Sequence, residues 1–130
     1  MNKITFIIPY FGHFNNYFEL FLRSCGANKD VADWLIFTND KTAYHYPENV
    51  KVTYMTWKEM QDLVKEKTGF RLERPYKLCD FKPSYGIIFR QYIEGYEFWG
   101  HCDTDLIWGD IHHFLTVDIL DNYDKIFDLG

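Results

Sequence analysis

The sequence predicts an α/β domain with a mainly parallel central sheet and helices on both of its faces. Apolar, β-rich runs alternate with segments of helical periodicity in the order strand, helix, strand, strand, helix, helix, strand. Such alternation builds α/β folds, and helical crossovers favour parallel pairing. A further observation locates the centre. The run "EFWGHC" is apolar on both faces, so the strand ending at Cys102 is expected in the middle of the sheet.

Each element follows from its residues. "KITFIIPY" is a β-rich apolar run ended by Pro9 and Gly12, hence a buried strand. In the next segment Asn15 or Asn16 can cap a helix. Tyr17, Phe18, Phe21, Leu22 and Cys25 then recur at helical spacing, and Gly26 is expected to stop it. "DWLIFTND" reads as a second strand ending at Asp40, and residues 50–55, "VKVTYM", as a third. Thr56 and Glu59 form a capping box that opens a helix with Met60, Leu63 and Val64 on one face, and Gly69 ends it. Pro75 and Pro83 each suit a first helical turn, giving a short helix and a longer one running to about Ile93. "YEFWGHCD" is the fourth main strand, "DIHHFL" a short helix with Asp110 as N-cap, and "YDKIFDLG" a fifth strand. The chain stops straight after that strand without a closing helix, so the fold is expected to be incomplete at the C-terminus.

The totals restrict the function. At 130 residues the chain holds one compact domain. Hydrophobic residues at 47% and charged residues at 25% argue against disorder. Aromatics reach 20%, most of them expected in the core. The net charge is −5 and the Lys and Arg residues are scattered, which argues against a general nucleic-acid binder. Cys25, Cys79 and Cys102 lack metal-ligand spacing and read as reduced thiols of a cytoplasmic protein. The N-terminus reads as neither signal peptide nor membrane span, and no later apolar run is long enough to span.

The chemistry gathers around "HCDTDLIWGD". Ligands of open α/β sheets bind beyond the carboxyl ends of the strands. Tyr10, Asp40, Asp103 and Asp105 are all expected there, at the ends of the first, second and fourth strands. Alternate strand residues share a face, so Asp103 and Asp105 point the same way. Their repulsion costs about 4 kcal/mol at a partly screened dielectric. A divalent cation reverses that sign, because Mg²⁺ or Mn²⁺ takes one or two carboxylates and leaves other positions to water and substrate phosphates. The alternative is that both aspartates are solvated turn residues or caps. His112 and His113 are adjacent and diverge by about 100° on a helix, so they do not share a metal. Lys77 and Lys82 flank "LCDF", where either could neutralise a phosphate. No nucleophile elbow, P-loop or zinc-protease motif is present. A haloacid-dehalogenase-type phosphatase also uses D-x-D after a strand. It places the motif near its N-terminus and follows it with Thr or Val, unlike Leu106 and Ile107 here.

In order, "KITFIIPYFG", "DWLIFTND", "PYKLCDFKPSYG" and "GYEFWGHCDTDLIWGDI" resemble a bacterial family classed with the D-x-D glycosyltransferases of GT-A fold. They are also distantly similar to the sugar-binding region of yeast-type mannosyltransferases and clostridial glucosylating toxins. There an S-D-x-x-R-Y helix precedes a G-G-x-Y-x-D-x-D strand. The resemblance implies a Rossmann-like GT-A nucleotide-diphospho-sugar transferase fold, with residues 1–130 forming the donor-binding, N-terminal domain. It implies Mn²⁺ or Mg²⁺ held by Asp103 and Asp105, with Asp103 shared with ribose or sugar hydroxyls. Asp80 would contact ribose or donor sugar, and Tyr10, Phe11 and Asp40 would lie near the nucleoside. Lys82 stands near, but not on, the arginine that reaches the sugar or phosphates, which leaves its role open. The complete protein would move a hexose from a nucleotide diphosphate to a glycan hydroxyl in bacterial surface polysaccharide synthesis, as a cytoplasmic or peripherally membrane-associated enzyme. The alternative is a non-catalytic nucleotide-sugar or metal-binding fragment lacking the acceptor half.

Overall fold

The structure is a computed structural model and describes residues 2–124. Four strands form one sheet: β1 (Ile4–Tyr10), β2 (Ala32–Thr38), β3 (Val50–Tyr54) and β4 (Phe98–His101), in the order β3-β2-β1-β4. Every pairing is parallel. The expected class is therefore present: an α/β layer structure around an all-parallel sheet. The strand expected over 123–130 lies outside the described residues, apart from its first two positions.

The sheet is covered on both faces because its strands alternate between two apolar sets. Ile4, Ile8, Trp34 and Ile36 pack with Phe18, Phe21, Leu22 and Cys25 of α1 (Phe18–Ala27). Ile7, Leu35 and Phe37 pack with Met60 and Val64 of α2 (Trp57–Thr68) and with Tyr85, Ile88 and Phe89. β2 lies between β1 and β3 and is buried along its whole length. Burying a Leu, Ile or Phe side chain is worth about 1.5–3 kcal/mol each, so these two clusters dominate the stabilising side. Asp33 sits within β2 at a buried position and stays paired: its carboxylate accepts from Asn2 and from the Tyr96 hydroxyl, with the Lys51 ammonium 3.6 Å away.

The capping box of α2 is present, with Thr56 Oγ1 accepting from the Glu59 amide and Glu59 from the Thr56 amide. Gly69 closes that helix at φ 79°, a left-handed value that suits glycine. α1 departs from expectation at both ends. It begins at Phe18 without a side-chain cap and runs through Gly26 to Ala27. Asn15 is engaged elsewhere, and Gly26 stays helical where Pro47 crowds it, at 3.1 Å from the site of an added Cβ.

The long helix expected to run to Ile93 is broken. Residues Pro75–Ser84 form a 3₁₀ helix, followed by two single turns, α3 (Tyr85–Ile88) and α4 (Arg90–Ile93). Pro83 lies inside the 3₁₀ stretch and offers no amide hydrogen to an α-helical ladder. Two short helices follow β4: α5 (Ile111–Phe114), capped by Asp110 as expected, and α6 (Val117–Asn122), capped by Thr116.

The expectation that β4 lies at the centre is corrected. Among the described residues β4 is an outer strand, paired on one side only with β1, and Trp99 is 40% exposed. Its aromatic residues made it look doubly buried. Phe98 packs into the α1-side cluster, while the Trp99 ring lies over Gly86, so close that a Cβ there would stand 2.8 Å from the indole. Phe98 is only partly buried there, and Trp99 is left partly exposed.

Candidate functional site

The strand order fixes where a ligand can sit. From β1 the chain builds outward to β2 and β3, then returns to the other side of β1 as β4. The crevice at the carboxyl ends of β1 and β4 is therefore the topological switch point, where open α/β sheets bind ligands. A cavity of about 360 Å³ lies there, lined by the end of β1 (Ile7 to Phe11), by Asn15, by the 3₁₀ helix and by residues 101–105.

The cavity gathers five of the seven side chains singled out from the sequence. Tyr10, Phe11, Lys82, Asp103 and Asp105 all line it. Lys82 Nζ stands 3.7 Å from Asp103 Oδ1. Asp105 is exposed and has no hydrogen-bond or ion-pair partner among the described residues, while Thr104 between the two aspartates is buried.

Asp40 and Asp80 do not line the cavity. Asp40 is buried beyond the end of β2 and its carboxylate is engaged by the loops around it. It accepts from the Thr42 hydroxyl at 2.6 Å, from the Thr42 amide at 3.0 Å and from the Phe14 amide at 3.3 Å. Burial pushes its carboxyl up, but those hydrogen bonds and nearby His13 outweigh burial and hold it below the usual aspartate value. Asp40 thus shapes the loop after β1 from behind. Asp80 is exposed on the 3₁₀ helix, 3.6 Å from the Lys77 ammonium.

Two asparagines hold the segment that carries the aspartates. Asn15 donates to the Thr104 carbonyl at 3.4 Å while accepting from the Tyr17 amide. Asn28, buried at the end of α1, donates to the Ser24 and Gly109 carbonyls and accepts from the Ile111 amide, each at 2.9 Å. Both are side chains near the ends of α1, so the helix sets the position of the chain from 104 to 111.

Four of the lining residues that were not singled out as ligand contacts bear on the chemistry. His101 stands two positions before Asp103, so the alternating pattern H-x-D-x-D was the available signal. Burial and the Lys82 ammonium pull its imidazole below the ordinary value, partly offset by Asp103, so it is neutral at pH 7. Tyr85 donates to the Leu78 carbonyl and lies edge-on to His101. Tyr76 is 77% exposed at the rim. Cys102 is half-buried, and burial pushes its thiol up to about 12 against the opposing pull of the Trp34 indole N–H. All three cysteines are free thiols.

A cation fits this donor set on two grounds. The carboxylates are hard oxygen ligands, and a lysine ammonium already stands against one of them as a stand-in cation. No group of three or more His, Cys, Asp or Glu side chains able to hold a metal occurs among the described residues. A metal on Asp103 and Asp105 would therefore leave most of its positions to water and ligand oxygens, as Mg²⁺ does at phosphate sites. Among the described residues no helix is long and apolar enough to cross a membrane.

Comparison with curated proteins and with solved structures gives no match. A family profile does match, over residues 6–130, which takes in the whole cavity lining and the four strands apart from the first two residues of β1. The chain belongs to that family, a family of unknown function designated DUF6625.

Proposed function

We propose that this domain binds a nucleotide-sugar donor through a divalent metal on Asp103 and Asp105, as the donor-binding part of a GT-A-like glycosyltransferase. The observation that carries the reading is that Asp103, paired with Lys82, and Asp105, without a partner among the described residues, line the same cavity at the β1/β4 switch point. Asp103 and Asp105 hold Mn²⁺ or Mg²⁺. Such an ion, when bound, stabilises the negative charge that develops on a leaving diphosphate. Tyr10 and Phe11 form the apolar wall beside the nucleoside, and Tyr76 offers a ring at the rim. Asp40 acts indirectly, by fixing the loop that follows β1. Asp80 contacts the donor only after leaving Lys77.

The complete protein would transfer the sugar to a hydroxyl of a surface glycan. A second reading is donor binding without transfer: the lining comes from β1 and its loop, the 3₁₀ helix, Tyr85 and the end of β4, all within residues 7–105. Both readings are tested by a thermal-shift screen of nucleotide sugars with Mn²⁺ present. At a hundredfold excess over Kd a binder adds about 2.7 kcal/mol of stability. The outcome against both is a set of donors that leave the melting temperature unmoved with Mn²⁺ present. A sugar-transfer assay on a binding protein then separates the two.

A further inference from the structure

The ion pair between Lys82 and Asp103 has a consequence for how ligands enter. Lys82 is the cation that the structure places against Asp103, and its side chain is 30% exposed, so it is partly withdrawn from water. A divalent metal arriving alone must displace that ammonium. Lys82 would then stand beside a second cation with its carboxylate taken. A diphosphate arriving alone must meet Asp103 and Asp105 with only Lys82 to offset them. Arriving together, the two ligands satisfy everything at once: the metal takes the carboxylates, and the freed ammonium takes phosphate oxygen.

We infer that Lys82 is a built-in counter-ion that makes metal and diphosphate bind as a coupled pair. Lys82 swings from Asp103 to the diphosphate when the metal takes its place. The inference rests on the reading of Asp103 and Asp105 as metal ligands and adds to it a reason why this position carries a lysine. Charge accounting shows the logic. Asp103, Asp105 and Lys82 sum to −1. A divalent metal brings the site to +1, and a doubly charged diphosphate returns it to −1. Without Lys82 the site begins at −2, so the metal alone is held more tightly and the diphosphate gains less from it. Coupling is reciprocal, so the factor by which diphosphate tightens the metal equals the factor by which metal tightens diphosphate.

The test uses Mn²⁺ and pyrophosphate with the wild-type chain, Lys82→Met and Lys82→Arg. Free Mn²⁺ is followed by electron paramagnetic resonance, and binding of the manganese–pyrophosphate complex by calorimetry. Couplings of this kind fall in a range of 5–150-fold. Lys82→Met is expected to bind Mn²⁺ alone on the order of tenfold more tightly, and the manganese–pyrophosphate complex on the order of tenfold more weakly. Lys82→Arg keeps the charge and is expected to stay near wild type in both. Lys82→Met binding Mn²⁺ no more tightly than wild type overturns the inference, and so does Lys82→Met losing neither ligand. The donor reading is judged separately. If these shifts occur while no nucleotide sugar binds, the counter-ion stands and the sugar-donor reading falls. If donors bind while Lys82→Met leaves Mn²⁺ affinity unchanged, the reverse holds.

Discussion

At the scale of single residues, the two aspartates of D-T-D differ in what they do for the folded chain. Asp103 is paired with Lys82, whereas Asp105 has no partner among the described residues. A residue kept for a cap would accept an amide, and its loss to Ala would cost about 0.5–2 kcal/mol. Asp105→Asn and Asp105→Ala should therefore both leave metal-free stability within a few tenths of a kcal/mol of wild type, as surface changes without partners do. Both should lose most of the affinity for Mn²⁺. Denaturant melts alongside Mn²⁺ titrations check this. Early melting of the Ala variant with unchanged Mn²⁺ binding in the Asn variant would make the motif structural. Asp103 and Asp105 could be picked out because alternation on a strand is a local rule, although β4 ends at His101 and both aspartates lie in the loop after it. His101 obeys the same rule but looked like one more residue of an apolar strand, and only its place in the cavity distinguishes it.

At the scale of elements, the segment after β4 owes its position to α1. Asn28 satisfies the Gly109 carbonyl and the Ile111 amide from a buried site more than eighty residues away in sequence. Asn28→Ala would strand both groups, and one buried unpaired polar group costs about 1–3 kcal/mol. The variant is expected to lose about 2–3 kcal/mol of stability. Exchange of the Ile111 amide should speed up by more than the global loss explains, measured by hydrogen exchange. If Ile111 follows only the global change, the tether is not local. Helix α2 was readable in full, because its capping box and its Gly69 stop are local signals. The broken stretch from Pro75 to Ile93 was not. Its proline positions suit a helix start, while its real shape follows the packing of Leu78, Tyr85, Ile88 and Phe89 under the sheet.

At the scale of the whole molecule, Asp40 links the loop after β1 to the loop after β2, so its ionisation bears on global stability. Its folded carboxyl lies below the usual value, and an unfolded aspartate titrates at about 3.9. A depressed folded value contributes stability that is complete above the unfolded value and is lost as the pH falls through the folded one. The difference in melting temperature between wild type and Asp40→Asn should thus be largest near pH 7 and shrink below about pH 4. A difference that grows toward acid would reverse the sign and remove Asp40 as a stabilising anion.

The sequence by itself determined the class of fold, the four strands within the described residues and the D-T-D pair, because each rests on periodicity or spacing within a few residues. Gly69, Thr56 and Asp110 act within one turn, so their effects were legible without a partner, whereas Pro9, expected to end the first strand, stays within β1 opposite Phe37. Tertiary structure alone decided three things. It put β4 outside β1, because strand order depends on which edge a returning chain joins, and the apolar rings of Phe98 and Trp99 do not encode that. It turned Asp40, past the end of β2, inward to the Thr42 and Phe14 amides and left Asp80, on the 3₁₀ helix, facing Lys77, because each carboxylate takes the nearest strong partner. And it set Lys82 against Asp103, joining residues 21 positions apart, because the crossover from the 3₁₀ helix to β4 folds that lysine back over the carboxyl end of the sheet.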